Sequence, residues 1–203
     1  GNTDKTGRDS DFMKLLEDRI IADGKIGEGD VLKVDSFLNH QIDVKFLCEL
    51  GKEFYRLFSD CGVNKILTIE ASGIGIACIT AQFFDVPVVF AKKTKTNNIY
   101  SDVYTSKVES YTHSKTYDIV VSKEFLNPGD RVLIIDDFLA NGSAITALAD
   151  LIDNAGAHTV GAGIVIEKSY QSGAKLVRDR GIRLESLARI ESMSVRDGIK
   201  FVR

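Results

Sequence analysis

The 203-residue chain has no tryptophan, two prolines, three histidines and three cysteines. Cys48, Cys61 and Cys78 are odd in number, widely spaced and without a CxxC pair. They therefore give neither a disulfide framework nor a thiol redox motif, and free thiols in a reducing compartment are expected. His40, His113 and His158 lie too far apart for zinc spacing. No apolar run approaches the ~18 residues of a membrane span, and no signal-peptide core is visible. A cytoplasmic protein without a membrane partner is the expectation. A net charge of -3 argues against a dedicated nucleic-acid binder. There is no internal repeat, low-complexity linker or domain boundary. Gly1 to Asp11 is polar and lacks an initiating Met. It is expected to be a tail or an expression remnant outside the fold. Residues 12–203 then form one domain, with hydrophobic residues at 44% supplying a sizeable core.

The stretch from Arg131 to Ala144 organises the rest. Val132-Leu133-Ile134-Ile135 is too short and too β-branched for a helix, and it suits a strand buried on both faces. Asp136 and Asp137 close it, Ala140-Asn141-Gly142-Ser143 follows, and Ala144 to Ala149 has helical character. In parallel α/β sheets a ligand sits at such a strand end. The helix start favours a phosphate, and Gly142 lets backbone approach it. The carboxylates suit sugar hydroxyls, which donate to them. Taken together, the two ends describe a ribose 5-phosphate. Taken alone, the loop is also an ordinary turn with a solvated acidic tip.

A second strand–loop–helix spans Lys65-Ile66-Leu67-Thr68-Ile69, Glu70 to Gly75 and Ile76 to Phe84. Cys78 stands where a dinucleotide fingerprint needs glycine, and no Walker Gly-Lys-Ser/Thr is present. Two anion-ready loops fit a ligand that carries a 5-phosphate and a 1-diphosphate. Val86 to Ala91 predicts a further strand, closed by Lys92 and Lys93, which is either a solvated basic end or a cation for a diphosphate. Thr94 to Tyr117 is polar with weak alternation, so a lid or flexible hairpin is expected. Val44 to Cys61 carries a core-facing helix stripe. Phe12 to Ala22 places Leu15, Leu16 and Ile20 at helical spacing. Asn127-Pro128-Gly129-Asp130 is a turn, Gly156 stops a helix, and strands are expected over 158–166 and 183–190. The alternation predicts an α/β fold with a mainly parallel sheet and helices on both faces.

The acidic-pair stretch resembles the signature of type I phosphoribosyltransferases, which bind phosphoribosyl pyrophosphate (PRPP). The likeness implies that Asp136 and Asp137 meet the ribose hydroxyls as catalytic groups. It also implies that Ala140, Asn141, Gly142, Ser143 and Ala144 hold the 5-phosphate, and that Ser72, Gly73 and Lys92 bear on the diphosphate. Two positions depart from the pattern. Asn141 replaces the usual Thr or Ser, and Ala140 replaces an Asp proposed as general base in the hypoxanthine-guanine members. The run VLKVDSFLNHQ is similar to the base-binding hood of the family's xanthine branch, as are IVIEKS and ESLARI near the end. That implies a small hood from about residue 12 to 45 with the C-terminal segment. Leu32, Asn39 and Lys168 would contact the base. Mg²⁺ is implied with PRPP, without an assigned protein ligand, and a homodimer is implied. The implied reaction is transfer of the phosphoribosyl group to xanthine, or alternatively to guanine, hypoxanthine or adenine. A PRPP-binding transcription regulator is the competing class.

Overall fold

The computed structural model describes residues 6–94, 102–110 and 115–203, with side chains from residue 14 onward. Helix α1 is Thr6–Asp23. It starts ahead of the expected Phe12, and residues 1–5 of the expected tail lie outside the described residues. Leu16 and Ile20 face the core, whereas Leu15, placed by spacing on the same stripe, is exposed. Strands β1 (Lys25–Gly27) and β2 (Val31–Lys33) pair antiparallel, and a π-helical turn, Asp35–Asn39, follows. Gly27 and Gly29 thus lie at the turn of a hairpin. Helix α2 (Val44–Phe58) is capped by Asp43, whose carboxylate accepts the Phe46 N–H.

Next come β3 (Lys65–Ile69), α3 (Ile74–Phe84), β4 (Val88–Thr94), β5 (Val103–Ser110) and β6 (Lys115–Ser122). Then β7 (Arg131–Leu139), α4 (Ser143–Asn154), β8 (His158–Lys168), α5 (Gly173–Asp179), β9 (Leu184–Ser194) and β10 (Gly198–Phe201) complete the chain. The sheet order is β10-β9-β8-β7-β3-β4-β6-β5. Its centre, from β9 through β8, β7 and β3 to β4, is parallel, and the pairs at both edges are antiparallel. The expected lid is in its described part the β5–β6 hairpin; residues 95–101 and 111–114 of it lie outside the described residues.

Alternation along β7 divides the core. Leu133 and Ile135 pack with α1, α2 and α3, while Val132 and Ile134 pack with α4 and α5. Helices therefore cover both faces, as the buried run requires. The hood is fastened to the first layer by Arg19. Its guanidinium lies 4.8 Å from the centroids of both Phe37 and Phe46 and donates to Asp43 at 3.0 Å.

Candidate active site

The apolar run of β7 carries Asp136 and Asp137 to the middle of the sheet's carboxyl edge, where each is only 5% exposed. A buried carboxylate needs donors. Asp136 accepts the Asp137 N–H at 2.9 Å, and Asp137 Oδ1 accepts the Phe138 N–H at 2.8 Å. Burial, and then the adjacent Asp137 charge, push Asp136 well above the usual carboxylate range. The Asp137 N–H and the Lys93 charge oppose this without reversing it.

Two loops meet this pair. The turn between β3 and α3 contains a cis Glu70–Ala71 peptide. A Cβ at Gly73 would stand 2.3 Å from Thr68 Oγ1 and 2.6 Å from Asp136 Oδ1, so the turn lies directly on the acidic pair. No side chain caps the start of α3. After β7, Asn141 Oδ1 accepts both the backbone N–H of Ser143 at 2.9 Å and its hydroxyl at 2.8 Å. Asn141 thus organises the loop as an Asx turn. The Ser143 hydroxyl, expected from sequence to serve a phosphate, donates to Asn141 inside the loop. Gly142 adopts φ 86°, and the loop rests on α5 through the Gly173 N–H, which donates to Ala140 O at 2.9 Å. Asn141, Gly142, Ser143, Ala144 and Tyr117 line a cleft of about 180 Å³.

The hood closes the third side. Asn39 Nδ2 donates to Asp137 Oδ2 at 3.1 Å, across 98 residues of sequence. Leu32, on β2 within the hood, is buried at 5% exposure in the first core cluster. Lys168 ends β8 with Nζ 5.5 Å from the Phe138 ring centroid, and burial pushes its ammonium below the ordinary lysine range. Lys92 and Lys93 part company, as neighbours on a strand must. Lys93 is the lysine whose charge bears on Asp136, and its Nζ lies 5.2 Å from the Tyr117 ring centroid. Lys92 lies 5.8 Å from the Phe90 ring centroid, beside a groove of about 770 Å³ lined by Pro87, Val103 and Phe125.

Comparison with known proteins decides the family. Residues 50–186 match the phosphoribosyl transferase domain model. The chain is 61% identical over 186 residues to a xanthine phosphoribosyltransferase of Lachnoclostridium phytofermentans, covering 92% of this chain and 96% of that one. It is 56% identical to a xanthine phosphoribosyltransferase of Clostridium botulinum, covering 89% and 96%. The chain belongs to the xanthine phosphoribosyltransferase branch of the phosphoribosyltransferase family. Solved adenine phosphoribosyltransferases share the fold. That of Rhodothermus marinus has a TM-score of 0.70 at 21% identity, covering 89% of this chain and 99% of its own. That of Trypanosoma brucei has 0.71 at 18%, covering 86% and 79%.

In this phosphoribosyltransferase the structure brings Asp136, Asp137, Gly73 and Asn39 together, with Ser72 beside Gly73 and residues 140–144 directly beyond the pair. Lys168 joins through Phe138, and Leu32 is packed into the first core cluster. Lys92 is turned away from the pair in its own chain. The sequence offered Lys92 and Lys93 together without choosing between them, and it gave no signal for the Tyr117 ring beside Lys93. Strand alternation predicts that adjacent lysines diverge, but the register that chooses between them comes from pairing with β6, where Lys93 faces Ile119.

Proposed function

We propose that this enzyme transfers the 5-phosphoribosyl group from PRPP to xanthine, giving xanthosine 5′-monophosphate and pyrophosphate in purine salvage. The supporting observation is the convergence of two anion-ready loops and a hood amide on one buried carboxylate pair. Asp136 and Asp137 take the ribose hydroxyls. The 140–144 loop takes the 5-phosphate with backbone N–H groups at the start of α4. Ser72-Gly73 takes the diphosphate, with Lys93 adding charge. Leu32, Asn39 and Lys168 frame the base. Lys168 suits the extra oxo group of xanthine, and its partly buried ammonium supplies a strong donor there. The chain works by positioning the two reactants and by stabilising charge as the anomeric bond breaks.

Mg²⁺ bound with PRPP would be held largely by the substrate's own oxygens and by water, and it would supply neutralisation of the diphosphate charge. A homodimer fits the exposed Phe90 and Phe125, 39% and 52% accessible, which flank the groove beside Lys92. Across such an interface Lys92 serves the partner copy's diphosphate. Sedimentation velocity tests it, and a monomer removes that role from Lys92. The free thiols fit a cytoplasmic location. We take residues 12–203 as one domain, with the hood and C-terminal segment as its cover.

Initial rates with PRPP, Mg²⁺ and each of xanthine, guanine, hypoxanthine and adenine test the reading. The expected result is a kcat/KM for xanthine well above the rest. Preference for another base overturns the hood assignment. Binding of PRPP without turnover of any base overturns catalysis.

A further inference from the structure

Asn39 is delivered by a fixed frame. The π-helical turn that it ends is a rare geometry that recurs at functional sites. Gln41 closes the turn, donating its N–H to Asp35 O at 2.7 Å and its Nε2 to Ser36 O at 2.9 Å. Phe37 and Leu38, fully buried, anchor it to the core. The amide orientation follows from chemistry. A carboxylate accepts and does not donate, so nitrogen faces Asp137. Asn39 Oδ1 is then buried without a hydrogen-bond partner among the described residues. An unpaired buried carbonyl costs free energy, so the arrangement is built for something that supplies a donor.

We propose that Asn39 is a positioning residue that couples the base subsite to the ribose subsite. Its amide holds Asp137 while no ribose hydroxyl is present, and it turns to the purine when those hydroxyls take the carboxylate. This rests on the ribose and base assignments made under the proposed function. Asp137 Oδ1 is committed to the Phe138 N–H, so Oδ2 is the oxygen for which Asn39 and a sugar hydroxyl compete. When the hydroxyl wins, both ends of a buried amide need partners. A purine edge that offers an N–H and an oxo oxygen supplies both. Each ligand thus removes a cost that the other would otherwise bear, and the coupling is reciprocal.

The test is calorimetric titration with xanthine and ribose 5-phosphate, a pair that lacks a leaving group and cannot turn over. In the unmodified protein, saturating ribose 5-phosphate is expected to tighten xanthine by about fivefold or more, and xanthine to tighten ribose 5-phosphate by the same factor. In Asn39→Ala and in Asn39→Ser, each checked for folding by thermal melting, the factor falls to one. Ribose 5-phosphate alone then binds somewhat tighter, because no amide must be displaced; a purely structural Asn39 predicts weaker binding instead. Absence of coupling in the unmodified protein, or its survival in either variant, overturns the proposal. Ribose 5-phosphate binding without coupling overturns only the coupling. No binding of ribose 5-phosphate at all overturns the ribose-site reading and the coupling with it.

Discussion

The β3–α3 loop and the β7–α4 loop leave neighbouring parallel strands at the same edge of the sheet, yet each depends on glycine for a different reason. Gly73 has helical backbone angles, φ -81° and ψ -17°, that any residue adopts, and what it lacks is room: Thr68 and Asp136 occupy the place of a Cβ. Gly142 sits at φ 86°, and its Cβ would stand 2.9 Å from Gly173 Cα, which is backbone. In the first loop glycine admits the acidic pair against the turn. In the second it sets the path of the chain into a helix start. One loop is therefore limited by side chains and the other by backbone.

The largest effect should come from the frame that both loops share. Lys65 begins β3 and Asp130 immediately precedes β7, and they pair at 2.8 Å with each side chain only 11% exposed. Lys65 also donates to Phe125 O at 2.7 Å. Lys65→Met leaves a buried carboxylate without its cation and should lower stability by about 3–5 kcal/mol, read by urea unfolding at pH 7. Burial raises Asp130, but its bonds from Lys65, Asn127 and Asn64 outweigh this and hold it below its ordinary 3.8. A depressed carboxylate contributes stability above its unfolded pKa and loses it as pH falls through the folded one. The gap between wild type and variant should therefore narrow below about pH 4.

Gly73→Ala should lower kcat/KM by about a hundredfold, because displacement of the turn by a fraction of an ångström misplaces both the loop proposed to take the diphosphate and Asp136. Adding Thr68→Ala removes the nearer clash and should restore part of the activity. Gly142→Ala should cost about 1–3 kcal/mol of stability from the left-handed backbone and the close approach together, read as a lower Tm. No single side-chain truncation should rescue it, since Gly173 offers no side chain to remove. Rescue of Gly142→Ala, or failure of rescue at Gly73, would erase the distinction between the loops.

The smallest effect has the opposite sign. The raised pKa of Asp136 means that its charge opposes folding as pH climbs above 3.8. Asp136→Asn removes that cost while removing the carboxylate proposed to hold the ribose. Tm should rise at pH 7 and the gain should vanish near pH 4, while turnover collapses. A variant that loses stability at pH 7, or keeps its turnover, contradicts this account of the pair.

The sheet was legible because its strands carry continuous apolar runs ending in chemistry: Val132 to Ile135 before Asp136, Ile66 to Ile69 before Glu70. Periodicity reports burial on both faces, and small residues at the strand ends mark loops. The short pieces were not legible. The β1–β2 hairpin has three residues per strand, the π-helical turn has no sequence period of its own, and β10 exists only because β9 offers it an edge.

By itself, the sequence determined the order of the central strands and their helices, the acidic pair and the two small-residue loops, because these depend on local pattern and residue chemistry. Tertiary structure alone decided which lysine of a pair bears on Asp136, where a hood amide 98 residues away places its hydrogen bond, and that Asp136 is buried enough to resist ionisation. Those three facts depend on register, long-range contact and solvent exclusion, and none of them leaves a mark on neighbouring residues in the chain.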